Sequence, residues 1–106
     1  MKVYILYAKE NWITDTLVQE WITYNKELYT NDLQESDTIW ILSHYIAKQI
    51  PLHIYKSKKV ITTIHHIVPS KITTSTFKHF LFLNSITDFF HTNSYKNSIV
   101  IQKYIQ

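Results

Sequence analysis

The sharpest chemical feature of the chain is the pair His65-His66, which follows its clearest β-branched run, Val60 to Ile64. An imidazole changes charge near neutral pH, so it can hydrogen-bond a substrate hydroxyl or stabilise charge beside a reacting carbon. Neighbouring residues of an extended segment point to opposite faces, so only one of the two would face a ligand. The competing reading is a partly buried histidine satisfied by backbone. A metal site fits less well, because no carboxylate or thiolate stands beside the pair.

Other polar side chains fall at comparable places. Lys9, Glu10 and Asn11 follow the apolar run Lys2 to Ala8. Ser43 and His44 follow Thr38 to Leu42, and Asn93 and Ser94 follow Asp88 to Thr92. These runs read as four strands, and their carboxyl ends are where an open parallel sheet binds its ligands. Helix N-termini at the same rim would add positive dipole ends. Part of this pattern needs no function, since the loops that follow strands are polar anyway. Elsewhere His53, His79 and His91 read as surface or packing residues. Trp12, Trp21 and Trp40 read as core or domain-interface rings, and Lys56, Lys58 and Lys59 as a basic turn, either solvated or a contact for anionic lipid or substrate.

The elements that must position these residues alternate. Ile13, Leu17, Val18, Trp21 and Ile22 recur at helical spacing behind an N-cap at Asn11 or Thr14. Residues 31–37 are polar and form a loop. Ser43 is placed to cap a helix through Ala47 and Gln49, which Pro51 then ends, kinks or follows with a further turn. Thr73 to Thr76 opens a helix carrying Phe77, Phe80, Leu81 and Asn84. Ser94 to Ile105 makes a last amphipathic helix, with no stop signal before Gln106, as expected of a fragment or a short gene product. Strand–helix alternation at this spacing predicts one α/β domain over residues 1–106. Its core would be a doubly wound, Rossmann-like parallel sheet of about four strands with helices on both faces.

Composition removes several functions. With 45% hydrophobic and 18% charged residues the chain is globular. It holds no cysteine, which excludes disulfides, thiolate zinc sites and cysteine nucleophiles and fits a cytoplasmic protein. It holds no glycine either, so neither glycine-rich phosphate cradle can form, and the chain calls for no resident cofactor. The net charge is +3 and every basic residue is lysine. Base-edge and bidentate phosphate recognition favour arginine, which argues against nucleic acid as a partner. No run approaches a membrane span, which leaves peripheral contact at most.

Over most of the chain the residues resemble one family. Lys9-Glu10-Asn11-Trp12-Ile13 with Glu20-Trp21 is similar to the opening of a subset of GT-B glycosyltransferases close to family 4. Asp37 to Leu42, Thr63-Ile64-His65-His66-Ile67-Val68-Pro69-Ser70-Lys71 and His91-Thr92-Asn93-Ser94 resemble further signatures of that group. The block of two histidines followed by Val68-Pro69 is the most specific part. The resemblance implies an acceptor-side lobe that closes over a nucleotide-sugar donor held by a second α/β lobe, with a sugar or lipid-linked acceptor. His65 or His66 would approach the sugar or the leaving phosphate. Asn93 and Ser94 would line the cleft, and Lys9, Glu10, Asn11, Ser43 and His44, placed at the same rim by their position after the strands, would bind substrate. The donor-gripping lobe is absent from these residues, so activity would need a separate catalytic lobe or self-association. The alternative is a non-enzymatic, flavodoxin-like binding or interaction module, since fold does not settle function.

Overall fold

The computed structural model describes residues 1–9, 13–64 and 73–92. Four short runs rich in β-branched and aromatic residues form strands: β1 Val3–Leu6, β2 Thr38–Ile41, β3 Lys59–Ile64 and β4 Phe89–Thr92. All three pairings are parallel, in the order β1-β2-β3-β4. Between them lie helix α1 Ile13–Tyr24, a 3-10 segment His44–Gln49, helix α2 Leu52–Lys56 and helix α3 Thr74–Ile86. The expected α/β class is therefore the observed one.

Side-chain alternation along the strands divides the core in two. Val3, Ile5 and Leu42 face Val18 of α1, with Trp21 and Trp40 packed against them. Leu6, Ile39, Ile41, Val60 and Ile64 face the other way, onto Ala47, Tyr55, Phe80 and Leu83. Residues of a strand alternate sides, so the two sets share one sheet. Helices thus cover both faces, as a doubly wound sheet requires. Trp21 and Trp40 meet edge to face at 5.6 Å between ring centres, an arrangement that aromatic quadrupoles favour.

A consecutive strand order would place every crossover of one hand on one face, so the two-faced core needs an explanation. It lies at Tyr29, which pairs in parallel with Val3 as an isolated bridge. The Val3 amide donates to the Leu28 carbonyl at 2.6 Å, and the Thr30 amide donates to the Val3 carbonyl at 3.0 Å. On the other edge of β1, the Lys2 and Leu6 carbonyls accept from Thr38 and from Leu42 and Ser43. Tyr29 therefore holds the place of a rudimentary strand on the outer edge of β1. The chain leaves β1 in one direction through α1 and leaves β2 in the opposite direction through the 3-10 segment and α2. Opposite directions on opposite faces have one hand, as the strong preference for right-handed crossovers demands.

Return from Tyr29 to β2 takes only residues 31–37, a run of turns rather than a helix. The Asp32 carboxylate accepts from the Gln34 amide, and the Ser36 hydroxyl donates to the Leu33 carbonyl. At the amino end of the sheet the Asp37 carboxylate accepts from the Lys2 amide and from the Thr38 hydroxyl. These bonds hold the Asp37 carboxyl below the usual carboxylate range, the Thr38 hydroxyl contributing most.

Local signals match the elements with two corrections. The first is that α1 begins at Ile13, so Thr14 lies inside the helix and is not its N-cap, while Asn11 lies outside the described residues. Thr73 caps α3 through its hydroxyl, which accepts from the Thr76 amide at 3.2 Å. Ser43, expected to cap the next helix in the same way, makes no capping bond, and the six residues after it form a 3-10 segment. Its hydroxyl is occupied elsewhere, by the Ala8 amide at 2.9 Å. Pro51 stands just before α2, a position that tolerates a missing amide proton. The Tyr55 hydroxyl donates to the Ala47 carbonyl, tying α2 to the 3-10 segment. Leu83, fully buried against the sheet, is the strongest test of this packing. Leu83→Ala should lower unfolding free energy by about 2–5 kcal/mol, read as a lower urea midpoint at unchanged m-value.

Candidate functional site

The rudimentary strand fixes where the sheet reverses its direction of growth, which is between β1 and β2. Open parallel sheets bind ligands outside the carboxyl ends of the strands at such a point. Here Leu6 passes into Tyr7, Ala8 and Lys9, and Ile41 into Leu42, Ser43 and His44. The Ala8 amide and Ser43 hydroxyl bond across the gap, and Ser43 is only 5% exposed. Ser43 thus joins the two strand ends.

Beside this junction lies an open cleft of about 460 Å³, lined among others by Tyr4, Tyr7, Lys9, Tyr29, Asn31 and Gln49. It exists because residues 31–37 replace a helix that would have covered this side of β1. The lining mixes phenol rings and hydroxyls with side-chain amides and one ammonium group. The Lys9 ammonium sits 5.9 Å from the centre of the Tyr7 ring, within cation–π reach. Burial raises the Tyr29 phenol above its ordinary value of 10.0, with the Tyr7 and Tyr4 phenols adding to the shift. Tyr29 is therefore a neutral hydroxyl at physiological pH, able to donate and accept. Rings that stack on apolar faces, beside hydroxyls and amides that pair with polar edges, suit a small polyhydroxylated ligand.

On the far side of the 3-10 segment His44 meets His79 of α3. The His79 Nε2 lies 3.2 Å from the His44 carbonyl and 3.3 Å from the His44 Nδ1. A carbonyl only accepts, so the bond to it is donated by the His79 Nε2. Phe80 and Phe82 flank the pair. Burial lowers the His79 pKa from 6.5; the bond to the His44 carbonyl opposes this, and the Lys48 charge adds to it. A third histidine, His91 on β4, lies 3.1 Å through Nδ1 from the Thr63 hydroxyl, to which the Trp40 indole nitrogen donates at 2.8 Å. Three adjacent strands are joined there on the α1 side of the sheet.

Of the residues that the sequence marked, Lys9, Ser43 and His44 lie at the carboxyl rim between β1 and β2. Lys9 lines the cleft, Ser43 bonds the Ala8 amide at the end of β1, and His44 turns toward α3. Glu10, Asn11, His65, His66, Asn93 and Ser94 lie outside the described residues. Tyr29, Asn31 and Gln49 were not marked, because a residue in a loop or a short helix gives no spacing signal for the cleft it will line. Nor was the His44–His79 contact, whose partners are 35 residues apart. No group of three metal-ligating side chains occurs among the described residues, and none of their helices is long and apolar enough to cross a membrane. Comparison with protein-family models, with curated proteins and with solved structures finds no match.

The His79 shift has a definite sign. The folded state binds the proton less tightly than the unfolded chain does, so this group favours folding above pH 6.5. That contribution is lost as pH falls from 6.5 toward the lower folded pKa. Urea midpoints should therefore fall between pH 7.5 and 5.5, and His79→Gln should flatten that part of the pH dependence. An unchanged slope in the variant would remove His79 as its source.

Proposed function

We propose that this chain is the acceptor-side lobe of a glycosyltransferase of the GT-B kind, similar to family 4. It would pass a sugar from a nucleotide-sugar donor to an acceptor when paired with a second lobe, and would be inactive alone. The observation that carries this reading is the open cleft beside β1, next to the point where the parallel sheet reverses its growth. Its tyrosine, amide and lysine lining matches what a sugar offers, apolar ring faces edged by hydroxyls. The resemblance in the sequence motifs points the same way.

In that reading the cleft orients the acceptor. Asn31, Gln49 and the Tyr29 hydroxyl would hold its hydroxyl groups, and the Lys9 ammonium would favour negative charge near the mouth. Holding an acceptor in a fixed pose removes much of the entropic barrier to transfer. Stabilisation of the departing nucleotide needs charge from the opposite lobe as well, so the isolated chain would bind without turning over.

Amide NMR of the full chain, titrated with simple acceptor sugars and with UDP-, GDP- and TDP-sugars, tests the reading. Acceptor sugars should shift Tyr7, Lys9, Asn31 and Gln49 together, and Asn31→Ala should weaken binding about fivefold, the value of one hydrogen bond. Silence at the cleft with every ligand would sink the transferase reading and leave the non-enzymatic binding module in its place.

A further inference from the structure

The charges of this chain are unevenly placed along it. Between Asp37 and Asp88 there is no acidic residue, while Lys48, Lys56, Lys58, Lys59, Lys71 and Lys78 all fall there. That stretch builds β2, β3 and the helices over one face of the sheet. Lysines in this layer therefore have no acidic residue within their own stretch to pair with, and two of them converge. Lys48, from the 3-10 segment, and Lys78, from α3, line one cleft of about 430 Å³ together with Tyr45, Ser75 and His79.

Tyr45, Lys48, Ser75 and Lys78 are exposed and His79 is half-buried, so the cleft is open to solvent, with two of its side chains held by neighbours. The Lys48 ammonium lies 5.3 Å from the centre of the Phe82 ring, which holds the side chain between the two elements. His79 is fixed by the His44 carbonyl, and its Nε2 proton is committed there. Ser75 sits in the first turn of α3, whose Thr73 cap is intact and whose first turn holds no acidic residue. The helix dipole adds positive potential at that end. Two ammonium groups, a hydroxyl, a phenol and an imidazole thus share a site whose lining holds no carboxylate.

We infer that this cleft between the 3-10 segment and α3 binds a phosphate monoester dianion, with Lys48 and Lys78 supplying the charge and Ser75 a hydroxyl donor. It is separate from the cleft beside β1 and does not depend on the transferase reading. A dianion here relieves the mutual repulsion of the two ammonium groups. It also reverses the electrostatic effect of Lys48 on His79, so ligand binding and His79 protonation favour each other. The charged or titratable groups that surround His79 are His44, Tyr45 and Lys48 from the 3-10 segment and Lys78 from α3 itself. The phosphate can be carried by a soluble metabolite or by a lipid headgroup, since both present the same dianion.

Inorganic phosphate added to the full chain, followed by the imidazole C–H signals of His79, tests this. The signals are assigned by their loss in His79→Gln. Phosphate should raise the His79 pKa by about half a unit or more, whereas chloride at equal ionic strength should not. Lys48→Ala and Lys78→Ala should each weaken phosphate binding about tenfold, and Lys78→Arg should retain it. A His79 titration unchanged by phosphate, or binding that both alanine variants preserve, overturns the site. Phosphatidylcholine vesicles with and without phosphatidic acid then identify the carrier. Recruitment that needs phosphatidic acid and both lysines supports a lipid headgroup, and phosphate binding without recruitment supports a soluble ester.

Discussion

Two backbone hydrogen bonds on the outer edge of β1 govern the rest of this fold. The Val3 amide and carbonyl pair with Leu28 and Thr30, and this carries the chain past β1 before it returns to β2. Were α1 followed directly by a strand on the inner edge, a constant crossover hand would stack all helices on one face and leave the other to water. With the detour, Val18 and Trp21 cover one face while Tyr55, Phe80 and Leu83 cover the other. A bridge of one residue pair is enough because α1 and the turns on either side hold it in place. The buried apolar area of two faces then stabilises a sheet whose strands are only 4 to 6 residues long.

The same detour creates the candidate site. Doubly wound sheets place their ligand crevice where growth reverses, and here that point falls between β1 and β2. A full strand and helix at Tyr29 would have roofed the region beside β1. Seven residues of turn do not, and the uncovered side chains Tyr4 and Tyr29 with Lys9, Asn31 and Gln49 become a lining instead of a core. Economy of chain length and exposure of a cleft are here one structural fact.

Charge distribution adds a second asymmetry. Acidic side chains stay on the N-terminal third and at Asp88, where Asp37 and Asp88 accept backbone amides at the amino end of the sheet. Lysines dominate the layer of the 3-10 segment, α2 and α3. A cation in that layer meets aromatic rings and backbone carbonyls, as Lys48 meets Phe82 and Lys58 meets the Ser36 carbonyl. Lys58 also lies near enough to Asp37 for its charge to favour that carboxylate, whereas the lining of the cleft at Lys48 and Lys78 holds no acidic residue.

Much of the architecture was legible in the sequence because it rests on local rules. Val60 to Ile64 and Thr38 to Ile41 carry β-branched and aromatic side chains that fit a pleated, buried surface, so both strands and their parallel class could be read directly. The run Thr73 to Thr76 announced α3, since a hydroxyl before a helical run has a nearby amide to satisfy. Absent glycine and cysteine excluded whole classes of chemistry without any structure. Lys9, Ser43 and His44 were found at the rim because the carboxyl ends of strands are countable positions. What remained hidden depends on distance through space. Nothing near Tyr29 marks it as the partner of Val3, nor could spacing announce that Ser43 would spend its hydroxyl on Ala8 rather than on a cap. His44 and His79 meet only because two crossovers pack side by side on one face. Residue type and period decide what a segment becomes, through interactions that reach one or two turns; which segments then meet is decided by burial and crossover hand, and those are properties of the whole chain.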